Sequence, residues 1–431
     1  MMGIKNIQAN LKQTLQNQIS GGLLHILSGN LLVKGISVIA SIIVVRLVDK
    51  TEYAYYSYAN NLYGYINLLS GLGLSTALLK FCARENSPEL DKAYYRFALI
   101  RGSAFQFLFA LILCIGVYLT PIPFPQARPF VLTMALLPVL SFVQESSQIY
   151  HRAHGKNKRY AYIGILQATV LCVVGIGLAF VLGTMGMVAA QYIALCATIL
   201  VGYRFVRSRQ RGVITMRLEP AEKKKIWVMA LSLMVANLFS AMMPLNETYL
   251  VNNLIQDEVI TANFKVADVV PSLLGLLTGS LMVYYFPIVA RMKDPKLILS
   301  KVIRIGFFTF AIIAICAALG AILSPVIIKL LFGNKYIDAI PIMNILWVMR
   351  AINAGVRMVP MNLLPAMGYT RFNAISAIVS CIIQTGLDYF LILNMGIYGV
   401  AYASIIVYIL SGAASWGYLI YVCKKGRRAE I

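Results

Sequence analysis

Four cationic side chains, Lys34, Lys265, Arg350 and Arg357, stand inside apolar runs long enough to cross a bilayer. A charge at the centre of a spanning helix costs roughly 2.5–3.5 kcal/mol on insertion scales, so its usual place is a hydrated cavity or beside a partner. The chemistry open to such cations is recognition of an anion. Their surroundings are patterned. Asn30, Lys34, Ser37 and Ser41 follow steps of four, three and four, one face of a helix. Tyr56, Asn60, Tyr63, Asn67 and Ser70 repeat that alternation, as do Arg350, Asn353 and Arg357, with Trp347 one turn before. A stripe of Ser and Asn also serves as interhelical hydrogen-bond glue. The cations carry the larger insertion cost and favour the cavity. Lys265 differs, because Asp268 at i+3 is placed to neutralise it and the outer end is within snorkelling reach. Glu145, Glu247, Asp268 and Asp388 are the carboxylates within the same apolar runs, and an unpaired one could bind Na+ or a proton and couple movement to a gradient. Glu247 and Asp388 are the first choices for that role.

The elements that must position these residues are membrane helices. Of 431 residues, 59% are hydrophobic and 13% charged, against about 25% charged in soluble domains. Twelve segments of spanning length are expected near 23–47, 54–78, 97–119, 129–150, 161–182, 185–206, 226–254, 260–286, 303–324, 339–366, 373–394 and 397–422. With the N-terminus placed in the cytoplasm, 29 of the 38 Lys and Arg fall on the cytoplasmic side, five on the outer side, and the four buried cations complete the set. This is the positive-inside pattern, and it puts both termini inside. The net charge of +22 therefore reflects topology and anionic headgroups rather than nucleic acid. The seven cysteines have no paired spacing and imply neither disulfides nor a metal site. The His151–His154 pair reads as a solvated loop, and the tyrosines crowding residues 53–65 as an outer aromatic belt. No phosphate-binding G-x-x-x-x-G-K-[ST] and no nucleophile–base constellation occurs, so neither a cofactor nor an enzymatic role is expected.

Two stretches repeat at an offset of 213 residues. Ala153–Ala161 and Ala366–Ala374 share A-x-G-x-x-[KR]-x-x-A, and Gly186 pairs with Gly399. Duplicated, parallel six-helix halves follow, with substrate near the midplane. The expected organisation is an amphipathic interfacial helix over 1–22, a first bundle over 23–207, a basic cytoplasmic linker over 208–225, a second bundle over 226–423 and a basic tail over 424–431.

The run from Arg46 to Glu85 resembles the polysaccharide-biosynthesis flippases of Wzx type, in the multidrug/oligosaccharidyl-lipid/polysaccharide (MOP) exporter superfamily. The similarity is carried by the R-x-L turn, the aromatic helix after it and the exit Gly73-Leu74-Ser75-Thr76-Ala77-Leu78-Leu79-Lys80-Phe81-Cys82-Ala83. LLFGNKY at Leu330–Tyr336 and MGIYGVAYAS at Met395–Ser404 add to it. The resemblance implies an all-α protein of two pseudo-symmetric six-helix bundles forming a V, with alternating access. It implies a cargo of undecaprenyl-diphosphate-linked oligosaccharide moved from the inner to the outer leaflet of a bacterial cytoplasmic membrane. The polymerase and glycosyltransferases of the same pathway are the implied partners. A diphosphate would suit Lys34, Arg350, Arg357 and Lys265, with Asn30, Ser37, Tyr56, Asn60, Tyr63, Asn67 and Asn353 lining the cavity for the glycan.

The nearest rival is a cation-coupled drug or toxin antiporter of the MATE kind. It would want acidic excess in its cavity, which the first segment lacks. A lipid II flippase carries two further helices. A membrane polymerase or ligase needs a large outer loop, and the loops here are short.

Overall fold

The structure, a computed structural model, describes residues 23–84, 87–292 and 294–425. The expected interfacial helix over 1–22 and tail residues 426–431 lie outside the described residues. Among the described residues there is no strand. The helices are α1 (Leu23–Leu47), α2 (Lys50–Leu69), α3 (Leu74–Arg84), α4 (Pro88–Leu119), α5 (Arg128–Thr133), α6 (Leu137–Ala153), α7 (Asn157–Gln210), α8 (Pro220–Ile255), α9 (Glu258–Val269), α10 (Leu274–Arg291), α11 (Pro295–Ile327), α12 (Ile340–Ile352), α13 (Met358–Ala366), α14 (Thr370–Met395) and α15 (Ile397–Lys425).

Nine of the described helices are long and apolar enough to cross a membrane, and up to eleven spans result if each of two bent pairs counts as one. The expected segments 161–182 and 185–206 are merged in α7, whose 54 residues would span about 80 Å at 1.5 Å per residue. That is more than twice the ~30 Å hydrocarbon core, and the run is broken at Gly183 (φ 58°, ψ −140°). Other expected segments are interrupted. Residues 54–78 divide at Ser70–Gly73, where four consecutive residues have positive φ. The glycines make this possible, and tight approaches require both: a Cβ on Gly73 would lie 2.1 Å from the Ala230 carbonyl oxygen, and one on Gly71 2.5 Å from the Phe142 ring. Pro271 ends α9 within the expected 260–286 segment, and a π-helical turn at Asn353–Arg357 separates α12 from α13.

The chain forms two compact units. Among the described residues, the first comprises 23–48, 63–121 and 128–235; the second comprises 49–62, 122–127 and 236–425. In the first, α1 lies along α7, and α6 packs against α3, α4 and α7. Small residues allow the α1–α7 approach: a Cβ on Gly29 would stand 2.8 Å from that of Ala161. Without a hydrophobic driving force inside lipid, such close packing is what holds helices together. The core gathers Leu74, Leu78, Tyr95, Phe142, Tyr150 and Ala230. In the second unit α14 pairs with α15, and α11 with α12. Its core gathers Val302, Ile305, Val359, Leu363, Leu364 and Leu419. Large apolar side chains such as Phe180, Phe307 and Ile322 are more than 70% exposed, the surface a bilayer would cover.

The repeat read at an offset of 213 residues has matching geometry within each unit. Gly183 and Gly396 share φ/ψ near 60°/−140°. A Cβ on Gly186 would meet the Leu178 carbonyl oxygen at 2.1 Å, and one on Gly399 the Leu391 carbonyl oxygen at 2.3 Å. Gly155 and Gly368 both have positive φ.

A buried ionic network in the second unit

The second unit gathers much of the charge expected inside the membrane. Its floor is α8, where Glu247 is 1% exposed. Three donors converge on Glu247 Oε1: Gln384 Nε2 (2.5 Å) from α14, and Ser404 Oγ (2.6 Å) and Tyr408 OH (3.2 Å) from α15. Gln384 also donates to Ser404 Oγ at 3.0 Å. One turn along α14 from Gln384, Asp388 is fully buried and close enough to Glu247 to interact electrostatically. Neither Asp388 oxygen makes a standard hydrogen bond, and Gln384 Oε1 is likewise unsatisfied. The pocket thus holds unsatisfied acceptors where a buried polar atom normally has a donor.

The cations sit beside these acceptors. Arg350 on α12 grips Asp268 with two parallel bonds, Nε–Oδ1 at 2.7 Å and Nη2–Oδ2 at 2.6 Å, the strong fork geometry of an arginine–carboxylate pair. Asp268 is shared: it pairs directly with Arg350 and also attracts Lys265 electrostatically, while Lys265 Nζ donates to Thr248 Oγ1 at 2.6 Å. Position explains the direct pairing. Asp268 lies in the last turn of α9, just before the break at Pro271, and is delivered to α12. Arg357, at the end of the π-helical turn, is 8% exposed and lies over the Tyr408 ring at 5.3 Å. Its other contacts are weaker: Asn353 Oδ1 at 3.3 Å and Met243 Sδ at 3.5 Å, with Nε unsatisfied. Three carboxyl groups (Glu247, Asp268, Asp388) and three basic side chains (Lys265, Arg350, Arg357) are thus gathered in one unit, with Arg350 and Asp268 in direct ion-pair contact. Desolvation penalises each charge, and pairing offsets that penalty where it occurs.

The remaining expected residues lie elsewhere. Asn30, Lys34 and Ser37 are exposed on α1 in the first unit, Ser37 bonding the Val33 carbonyl at 2.8 Å. Tyr56 is half-buried and Asn60 exposed in the α2 portion belonging to the second unit; Asn67 is exposed in the portion belonging to the first. Tyr63 departs from the expected cavity stripe. It is 1% exposed and its hydroxyl donates to the Val131 carbonyl at 2.7 Å, so packing within the first unit claims it. Glu145 accepts from Ser70 Oγ at 2.8 Å. The tyrosines at 53 and 58 are buried rather than forming a belt, Tyr58 standing edge-on to Phe124 at 5.6 Å. The His151–His154 pair is not solvated: His151 is 1% exposed, and His154 Nε2 lies 3.1 Å from Asp91, which also accepts from Tyr150 OH at 2.5 Å. The seven cysteines form no disulfide among the described residues.

Sequence reasoning missed Gln384, Ser404, Tyr408 and Thr248. A signal existed. Ser404, Tyr408, Ser411 and Ser415 follow steps of four, three and four, and Gln384 and Asp388 are four apart.

Solved transporter structures share this helical fold. A solved structure described as an inward-facing multidrug resistance MATE family transporter of the MOP superfamily is similar, with TM-score 0.69 and 15% identity, covering 91% of this chain and 95% of that one. The lipid II flippase MurJ in an inward closed conformation gives TM-score 0.72 at 14% identity, covering 93% and 87%. A Vibrio cholerae MATE transporter gives 0.66 at 14%, covering 96% and 98%. No match is found among curated protein sequences. Residues 20–293 match the polysaccharide biosynthesis protein family, and the chain belongs to that family.

Proposed function

We propose that the protein is a flippase that carries undecaprenyl-diphosphate-linked oligosaccharide from the inner to the outer leaflet of a bacterial cytoplasmic membrane by alternating access, with both termini cytoplasmic. The observation that carries this reading is membership of the polysaccharide biosynthesis family in a multi-pass chain with a MOP transporter fold. Among the expected cations, Arg357 suits the diphosphate best, because its guanidinium has unused donor capacity while that of Arg350 is held by Asp268. Lys34, exposed on α1, is proposed to meet the same anionic cargo at another step, with Asn30, Ser37, Asn60 and Asn67 offering hydrogen bonds to sugar hydroxyls. The coupling ion is assigned to Glu247 and Asp388. Carboxylate oxygens, Ser404 Oγ and the unsatisfied Gln384 Oε1 form an all-oxygen donor set, which suits Na+ or a proton.

The test is complementation of a strain lacking its repeat-unit flippase. Arg357→Ala and Lys34→Ala should abolish surface glycan while the protein remains in the membrane at normal level. Full glycan in both variants would defeat the assignment of these cations. If the wild-type chain fails to restore glycan but confers resistance to cationic drugs, the antiporter reading replaces the flippase.

A further inference from the structure

In the first unit, the start of α4 and the segment leading from α7 to α8 border an open cavity of about 390 Å³. Arg96 and Arg101 line it from α4, Arg217 and Lys223 from the opposite side, and Phe97 and Ile100 supply apolar wall. No carboxylate is among its lining residues, and none of the four cations forms an ion pair among the described residues. Four like charges around one recess repel each other, and an anion placed between them relieves that repulsion. Apolar features flank the same recess. Above Arg101, α4 exposes Phe107, Leu111 and Ile115, each 46–51% exposed, an apolar wall of about 12 Å at 1.5 Å per residue. Beside Arg217, Ile214 is 80% and Met216 51% exposed. A soluble anion has no use for that wall, whereas an acyl chain does.

We infer that this cavity binds an anionic glycerophospholipid, its phosphate between Arg96, Arg101, Arg217 and Lys223 and its chains along the exposed face of α4. Basic recesses between membrane helices suit acidic headgroups in this way. The second unit carries a related feature on the matching element. Both α4 and α11 open on a capping side chain followed by proline, Ser87-Pro88 and Asp294-Pro295. Beside the first turns of α11, a cavity of about 620 Å³ is lined by Lys301 and Arg304 with Tyr285 and Phe308. The inference makes no use of the transported cargo, so it stands or falls separately from the flippase reading.

Native mass spectrometry of the full-length protein titrated with phosphatidylglycerol or phosphatidylcholine of matched chains tests it. The wild type should retain phosphatidylglycerol in preference. Arg96→Gln with Arg217→Gln should weaken that retention about 30-fold, since each basic residue near an anionic surface contributes about a factor of five. Lys424→Gln with Lys425→Gln, an equal loss of charge at the end of α15, should leave the preference unchanged. Equal retention of the two lipids by the wild type would overturn the inference, as would an equal loss in both double variants. Complete displacement of the lipid by inorganic phosphate would overturn the assignment to a lipid.

Discussion

Arg350 and Asp268 illustrate how charge is tolerated in the second unit. A two-point pair partly buried among helices gains little net stability over apolar packing, but removing one member strands the other. Arg350→Ala should therefore destabilise the protein by about 2–3 kcal/mol, below the cost for a fully buried pair, seen as a fall in the thermal midpoint in detergent. Arg350→Met combined with Asp268→Leu should recover most of that loss. A double variant as unstable as the single one would show that Arg350 holds more than Asp268. The position of Arg350 was legible from its stripe with Asn353 and Arg357. Its partner was not, because spacing reports neighbours on one helix, and Asp268 reaches across from another. Gln384 and Ser404 escaped notice for a related reason: uncharged residues within apolar segments carry no insertion penalty large enough to mark them.

Among elements, the glycine-centred hairpins were the most legible. Gly186 and Gly399 stood out as a repeat, and each admits a carbonyl oxygen where a Cβ would sit. Gly399→Leu should prevent that approach and abolish the monodisperse peak on size exclusion, because the obstruction is backbone and cannot rotate away. Gly177→Ala, with open space around it, should elute as the wild type does; identical behaviour of the two variants would remove the hairpin contact from the account. The break at Ser70–Gly73 was not legible, since apolar residues on both sides continue the helical pattern and the close contacts of Gly71 with Phe142 and of Gly73 with Ala230 come from distant segments. Asp49 is a smaller case. It caps α2 through the Thr51 and Glu52 amides, and its hydrogen bond from the Thr51 hydroxyl helps hold its carboxyl below the usual range. Its contribution is therefore present at neutral pH and lost only as pH falls through that lowered value.

Across the whole molecule the two halves share hairpins but not the cluster around Glu247. At the 213-residue offset, Gln384, Asp388 and Tyr408 of the second unit correspond to Leu171, Gly175 and Leu195 of the first. The Glu247 cluster has no counterpart at those positions in the first unit, so the shared hairpins do not depend on it. If it holds the coupling ion, Asp388→Asn should cut Na+-stimulated or pH-driven glycan export at least ten-fold in vesicles while leaving thermal stability equal or higher, because a buried carboxylate lacking hydrogen bonds is replaced by a neutral group. Unchanged ion dependence would place coupling elsewhere. The packing of α1 along α7 has a consequence for biosynthesis. Residue 47 ends α1 and residue 157 begins α7, so at about 5–20 residues per second the ribosome needs on the order of 5–20 s to deliver the partner. During that interval the face of α1 that α7 will cover, around Gly29, has no partner helix. Until α7 emerges, that face must be sheltered by lipid or by the insertion machinery.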